Sequence, residues 1–312
     1  MKSATKNSIL LLGGKGFIGN TIYQNLKKNF IIKILSKRLG QDLRKSSEIK
    51  KYLKNKKFDY IINCASHVGG LNYLKRFSAD VATDNLKIIT NLYDGVKAVK
   101  NPPIIINLIS NCFYPHKLKV QKEEKWQEGS MHESVETFGI AKRVAVILSK
   151  SYEKQYGIKS INLILPNAFG PGDHLDPSRS HALNAIIVRM IEAKKNELKT
   201  FEVWGTGKPR REWIYSNDVS RVINKLLKKD ISKSMLINVA QNKSFSINQI
   251  ALIIKKLLKY QGKIINNTNY PDGAPLKQLD NSKFKKIFKD FSFTNFNSAI
   301  KNTIKMYKKI NK

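Results

Sequence analysis

The stretch Ser8-Ile9-Leu10-Leu11-Leu12-Gly13-Gly14-Lys15-Gly16-Phe17-Ile18-Gly19 decides the fold. Residues 8–12 are a short apolar run of strand length, consistent with a strand buried on both faces. Glycines 13, 14, 16 and 19 follow at once, and residues 20–29 have the spacing of an amphipathic helix. Glycine in such a turn lets backbone N–H groups approach a pyrophosphate and lets the helix pack closely on its strand. The helix N-terminus adds partial positive charge to the same spot. Strand, glycines and helix in this order read as a dinucleotide cradle built from Gly13, Gly14, Gly16, Phe17, Ile18 and Gly19.

The pattern continues outward. Residues 30–35, 58–64, 104–109 and 158–165 read as strands. Residues 46–57, 80–99 and 138–156 read as helices between them, with Asn101-Pro102-Pro103 stopping the second. Strands alternating with helices predict an α/β fold with a doubly wound parallel Rossmann sheet. Beyond Pro166 the rhythm is irregular. A Gly/Pro/Asp-rich loop over 167–180 precedes a helix at 181–195 and a strand at 201–204. Residues 211–215 and 235–239 look like a return to the sheet, around a helix at 217–229, and a further helix spans 247–260. The expected organisation is a nucleotide-binding domain over 1–166, completed by about 211–240, and a smaller substrate lobe within 167–312, mainly 167–210 and 241–312.

The end of the second strand bears on the cofactor. A ribose 2′-hydroxyl usually meets a carboxylate about 20 residues after the glycines. Here the text is Leu35-Ser36-Lys37-Arg38, a hydroxyl and two cations that suit a 2′-phosphate. NADP(H) is therefore favoured and NAD(H) is the alternative. Asp42 is then free for the adenine amine, beside Leu43.

Composition excludes other classes. The 312 residues carry a formal charge of +34, with 41% apolar and 9% aromatic residues, so the chain is not a disordered basic tail. No run reaches the ~20 apolar residues of a membrane span, and the apolar stretch 9–12 is too short for a signal-peptide core. Two cysteines are too few for a disulfide scaffold, which leads to an expectation of a cytoplasmic protein. Lysines are spread through every segment without a zinc-finger, RNA-recognition or basic-zipper signature, so nucleic acid is not the expected partner. Residues 255–312 hold 14 Lys and 3 Asp and read as solvated helix faces. His67, His116, His132 and His174 lack zinc spacing with Cys or Glu, and no metal is expected. Glu123-Glu124 reads as a solvated loop.

Several motifs in order then narrow the reading: Asn63-Cys64-Ala65, Val68-Gly69-Gly70, Ser110-Asn111-Cys112-Phe113-Tyr114-Pro115, Asn167-Ala168-Phe169-Gly170-Pro171, Ser178-Arg179-Ser180-His181, Trp204-Gly205-Thr206-Gly207, Arg210-Arg211-Glu212 and Pro271-Asp272-Gly273-Ala274-Pro275. Over nearly its full length the chain resembles the GDP-L-fucose synthase family, the NADPH-dependent GDP-4-keto-6-deoxymannose 3,5-epimerase/4-reductases among the extended short-chain dehydrogenases/reductases. The resemblance implies that Ser110 and Lys142 serve reduction, that Cys112 and His181 serve epimerisation, and that Cys64, Ala65, Asn85 and Lys142 lie on the cofactor side. It implies further that Asn167, Arg189, Trp204, Arg211 and Lys277 line the GDP-sugar cleft and that the chain forms a homodimer.

The departure from the family is Phe138-Gly139-Ile140-Ala141-Lys142, with Phe138 where a tyrosine is usual. Hydride delivered to a C4 ketone leaves an alkoxide that needs a positioned acid, and losing one typically costs about 10²–10⁴-fold. Reduction is therefore expected to be impaired. Epimerisation is spared, because the 4-keto group already acidifies C3 and C5. Phe138 fits either a native departure or an engineered Tyr→Phe change. The text also departs around 124–137, which admits a 4-keto heptose as readily as a deoxyhexose. The alternatives are a GDP-sugar 4-reductase or 4-dehydrogenase with a substitute proton donor, and a non-catalytic nucleotide-binding scaffold.

Overall fold

The computed structural model describes residues 6–54, 56–176, 179–270 and 272–310; Ser178 and Pro271 of the motifs above lie outside them. The chain begins with β1 (Ser8–Leu12), α1 (Phe17–Leu26), β2 (Ile31–Leu35), α2 (Ser46–Lys54) and β3 (Tyr60–Asn63). It continues through α3 (Leu71–Arg76), α4 (Ser78–Val96), β4 (Ile104–Ser110), α5 (Glu136–Tyr156) and β5 (Ser160–Leu165). These strands and β9 (Met235–Asn238) form one six-stranded sheet in the order β2-β1-β3-β4-β5-β9, every pairing parallel. The apolar run of β1 explains its central place. Leu10 and Leu12 join the core that holds α2, α4 and α5, while Ile9 and Leu11 join the core under α1 and α7 (Ser216–Leu226). A strand buried on both faces has no room for alternation.

Three asparagines occupy successive central strands in register, Asn63 beside Asn107 and Asn107 beside Asn162. Asn107 Nδ2 donates to Asn162 Oδ1 (3.0 Å), and Asn63 Nδ2 donates to Asn107 Oδ1 (3.3 Å). Slipping a strand by one residue would strand these buried amides, so they fix the register.

The second lobe comprises β6 (Asn167–Phe169), α6 (Ala182–Lys195), β7 (Thr200–Trp204), β8 (Arg210–Tyr215), β10 (Ser244–Ser246), α8 (Ile247–Leu258), β11 (Lys263–Asn267) and β12 (Leu276–Lys277). α9 (Ser282–Ile287) packs back under the main sheet, and α10 (Phe296–Ile310) closes the lobe core with α6 and α8. One expectation is corrected here. β9 rejoins the main sheet, but β8 does not; it pairs with β6, β10 and β12. Its alternation is the reason: Trp213 and Tyr215 enter the lobe core while Ile214 meets the main one, so β8 lies between them. The loop expected over 167–180 likewise begins with a strand, β6, paired to β8.

Among the described residues no helix is long and apolar enough to cross a membrane, and no group of three or more His, Cys, Asp or Glu could hold a metal ion.

Candidate active site

From β1 the chain runs outward to β2 and then crosses back to β3, so the strand order reverses beside β1. Crevices at the carboxyl ends of strands beside such a reversal are where open α/β sheets take ligands. A cleft of about 1420 Å³ opens there, between the sheet and the second lobe.

Its floor is the glycine turn. Gly13 has φ +73°, and a Cβ on it would fall 2.7 Å from Ala65 N. A Cβ on Gly19 would fall 2.3 Å from the Gly13 carbonyl oxygen, which is how α1 approaches its strand. Gly16, Phe17, Ile18, Cys64 and Ala65 line the same space. Gly14 does not; its missing Cβ makes room for Ile34 at 2.8 Å, a packing role between strands.

At the end of β2, Ser36, Lys37, Arg38 and Leu43 line the cleft, and the Arg38 guanidinium donates to Lys15 O at 3.0 Å. Two expectations change here. Asp42 lines the cleft but is not free: Arg44 donates to both its oxygens, at 2.8 and 2.6 Å, and this contact holds its carboxyl down at about 2. Asn85 is buried with its amide fully used. Its Oδ1 accepts from Ser66 Oγ (2.8 Å) and His67 N (3.0 Å), and its Nδ2 donates to His67 O (2.8 Å) and Val81 O (2.7 Å). It acts at one remove, fixing the 66–67 turn.

The reactive groups stand above this floor. Ser110 ends β4, and its Oγ accepts from Cys112 N at 3.4 Å in the one-turn helix that follows. A Cβ at Gly139 would lie 3.0 Å from Cys112 O, so α5 can press against this turn only because residue 139 is glycine. Burial pushes the Cys112 thiol up, against the opposing pull of Lys277 and Lys142. Lys142 Nζ donates to Ser66 Oγ (3.4 Å) and lies 4.9 Å from the centroid of the buried Phe138 ring. Burial draws its ammonium down to about 8, while burial pushes the Cys64 thiol up to about 12. His181 precedes α6, and its Nδ1 lies 3.0 Å from Oδ2 of buried Asp173. Asp173 also accepts from His181 N (2.8 Å) and Asn184 Nδ2 (2.8 Å). Although burial opposes it, these partners hold the carboxyl down at about 2.

The far end of the cleft belongs to the second lobe. Arg211 and Lys277 are register partners on β8 and β12. Burial lowers both, Arg211 to about 10, and the Arg211 guanidinium donates to Ala274 O. Arg189 lies 4.2 Å from the Trp204 ring, which stacks on Tyr270 at 4.8 Å. Asn167 on β6 completes this end. The cleft therefore gathers every residue expected there except Gly14 and Asn85.

Three features escaped the sequence reading. Asp173 is one of two acids in a Gly/Pro/Asp-rich loop, and nothing in its spacing ties it to His181. His67, which the sequence marks only by its lack of zinc spacing, lies in the cleft, with Nδ1 2.9 Å from Asp84 Oδ2 and Nε2 2.8 Å from Tyr73 Oη. Glu123 is not simply solvated, for it accepts the Asn238 N–H at 2.9 Å and burial raises its carboxyl.

Comparison with known proteins decides the family. The model of the NAD dependent epimerase/dehydratase family matches residues 9–240. The chain belongs to this family. Within the epimerase/dehydratase family it is 31% identical over 276 residues to the GDP-L-fucose synthase of Sinorhizobium fredii, covering 88% of this chain and 87% of that one. The fold is similar to a GDP-6-OMe-4-keto-L-xylo-heptose reductase from C. jejuni, with a TM-score of 0.87, 27% identity and 99% of each chain covered. A GDP-L-fucose synthetase from Naegleria fowleri bound to NADP gives a TM-score of 0.86 at 26% identity, covering 100% of this chain and 97% of that one.

Proposed function

We propose that the protein is an NADP(H)-dependent enzyme acting on a GDP-linked 4-keto sugar, an epimerase/4-reductase of the GDP-L-fucose synthase type. The observation that carries this reading is the convergence of Ser110, Cys112, Lys142 and His181 on the cleft floored by the glycine turn. The cofactor fits the residues present. Gly13 holds a left-handed backbone with no space for a Cβ, and Ser36, Lys37 and Arg38 offer a 2′-phosphate a hydroxyl and two cations without a carboxylate. When bound, the reduced nicotinamide supplies hydride for the ketone carbon. Residues 1–166 with β9 would hold the nucleotide. Asn167, Arg189, Trp204, Arg211 and Lys277 would hold the GDP-sugar, the arginines gripping diphosphate.

In the epimerisation, Cys112 takes a proton from the carbon beside the ketone as a thiolate, and His181 returns one on the opposite face. Asp173, bonded to Nδ1, leaves Nε2 as the exchanging nitrogen. Because burial raises the thiol, exchange should accelerate as pH rises through neutrality. Ser110 would hydrogen-bond the ketone, and Lys142 would hold the nicotinamide ribose. Phe138 gives the ketone oxygen no proton, so reduction through position 138 is impaired. Exposed Ile140 and Ile147 on α5 give the proposed homodimer an apolar contact.

Incubation with GDP-4-keto-6-deoxymannose in D₂O tests the reading. Deuterium should enter C3 and C5, and Cys112→Ala should abolish its uptake; no uptake by the cofactor-loaded parent contradicts it.

A second reading is C4 reduction of a GDP-4-keto heptose without epimerisation. The raised Cys112 thiol favours it, as does the likeness to the C. jejuni reductase. NADPH oxidation unaffected by Cys112→Ala would select it.

A further inference from the structure

Phe138 removes a phenol from one side of the cleft, but another stands nearby. Two tyrosines line the cleft among the described residues, Tyr73 and Tyr270. Tyr270 is stacked on Trp204 at the far end. Tyr73, on α3, packs against the small apolar cluster that contains Cys112 and Phe138. Its ring is fixed on several sides. A Cβ on Gly69 would fall 2.5 Å from Tyr73 Cδ1, so only glycine admits the ring there. The Phe77 ring lies 4.7 Å away, and the Arg179 guanidinium 5.9 Å from the Tyr73 centroid.

The hydroxyl has a built proton path behind it. Tyr73 Oη is 2.8 Å from His67 Nε2, and His67 Nδ1 is 2.9 Å from Asp84 Oδ2. Asp84 is anchored in turn by Arg44 at 3.0 Å, and the backbone of His67 is clamped on both sides by Asn85. The charged and titratable groups around His67 are therefore Asp84, with Arg44 and Asp42 beyond it, and Tyr73, with Arg179 over its ring. On the α5 side stands Lys142, bonded to Ser66.

We infer that Tyr73 is the proton donor to the substrate's ketone oxygen, recharged by His67, which Asp84 holds in place. This rests on the reading of the cleft as a GDP-4-keto-sugar site. Tyr73 would give its O–H proton to the ketone oxygen as the C=O π pair moves onto that oxygen, and a bound reduced nicotinamide would supply the hydride, with its electron pair, that the carbonyl carbon takes up. His67 passes a proton from Nε2 to the phenolate and regains one from water, while Asp84 accepts from Nδ1–H throughout. Tyr73 is the catalytic residue here, and His67 and Asp84 are positioning and relay residues.

The test uses the full chain with NADPH and a GDP-4-keto sugar, either deoxyhexose or heptose, and follows NADPH oxidation together with deuterium exchange at C3 and C5. Tyr73→Phe should lower oxidation by about 10²–10⁴-fold while exchange falls far less. Phe138→Tyr should restore oxidation in the Tyr73→Phe background and change the parent less than about tenfold. His67→Gln should shift the alkaline limb of the oxidation profile, which a merely structural role would not move. Full oxidation by Tyr73→Phe overturns the proposal, as does an unmoved His67→Gln profile or a gain of several hundred-fold from Phe138→Tyr in the parent. A parent that exchanges deuterium but does not oxidise NADPH overturns the relay and leaves the epimerase reading intact. A parent that does neither overturns both.

Discussion

Lys142 Nζ sits 4.9 Å from the centre of the Phe138 ring, one helical turn away on α5. The ring offers the ammonium its π face but no oxygen, and cation–π attraction recovers part of the cost of burying the charge. Burial still draws the ammonium down to about 8 from its ordinary 10.5. The sign follows from proton counts. Between these values the unfolded chain binds the extra proton, so stability rises with pH across that window. Lys142 should thus contribute a gain of at most about 3 kcal/mol from pH 8 to 10.5, and the difference in urea unfolding between the parent and Lys142→Met should reproduce it. An identical pH dependence in the two proteins would contradict a half-buried Lys142 whose ammonium is drawn down.

Asp173 makes the opposite statement. Its carboxyl is held at about 2 by His181 and Asn184, so the stability it provides is present above about 4 and is lost as pH falls towards 2. Asp173→Asn should remove much of that acid sensitivity. It should also slow C3/C5 exchange about 10-fold or more by releasing the His181 ring, with NADPH affinity nearly unchanged. Acid unfolding and exchange, measured on the same variant, check both parts.

Gly13→Ala would put a methyl 2.7 Å from the Ala65 nitrogen at a φ of +73°. The strain should cost about 1–3 kcal/mol and push the turn away from its ligand. NADPH fluorescence titration should show binding weakened at least tenfold alongside a lower Tm. Gly14→Ala, which crowds Ile34 instead, should lower Tm with a smaller effect on NADPH.

Arg38 faces the cleft beside Lys37 and Ser36. Arg38→Ala should weaken NADPH about tenfold or more, since a charge-assisted contact to phosphate is worth about 1.5–3 kcal/mol, and leave NADH nearly unaffected. Equal losses for both nucleotides would remove Arg38 from the 2′-phosphate.

The main sheet was legible because its strands are apolar runs of strand length separated by helices of 3.6 periodicity. β1 is the clearest case, since burial on both faces forces Ile9–Leu12 to be apolar throughout. β8 was misassigned for the same reason: its apolar residues serve two different cores, and sequence cannot tell which sheet claims them. α3 has only six residues and too few for periodicity to register. The positions of Ser110, Cys112, Lys142 and His181 were readable because each belongs to a motif. Asp173, Tyr73 and Asp84 belong to none, and they meet His181 and His67 only after the loops close. Asn85 misled because a buried amide and a cofactor-facing one look alike in sequence.

The measurement that bears most directly on the account is deuterium incorporation into a GDP-4-keto sugar by the NADP(H)-loaded protein, followed by NMR at C3 and C5 as pH is raised. The account predicts uptake that quickens with pH as the Cys112 thiol ionises and that vanishes in Cys112→Ala, whose NADPH affinity is nearly that of the parent. Uptake that persists in Cys112→Ala, or none in the parent at any pH, would contradict it.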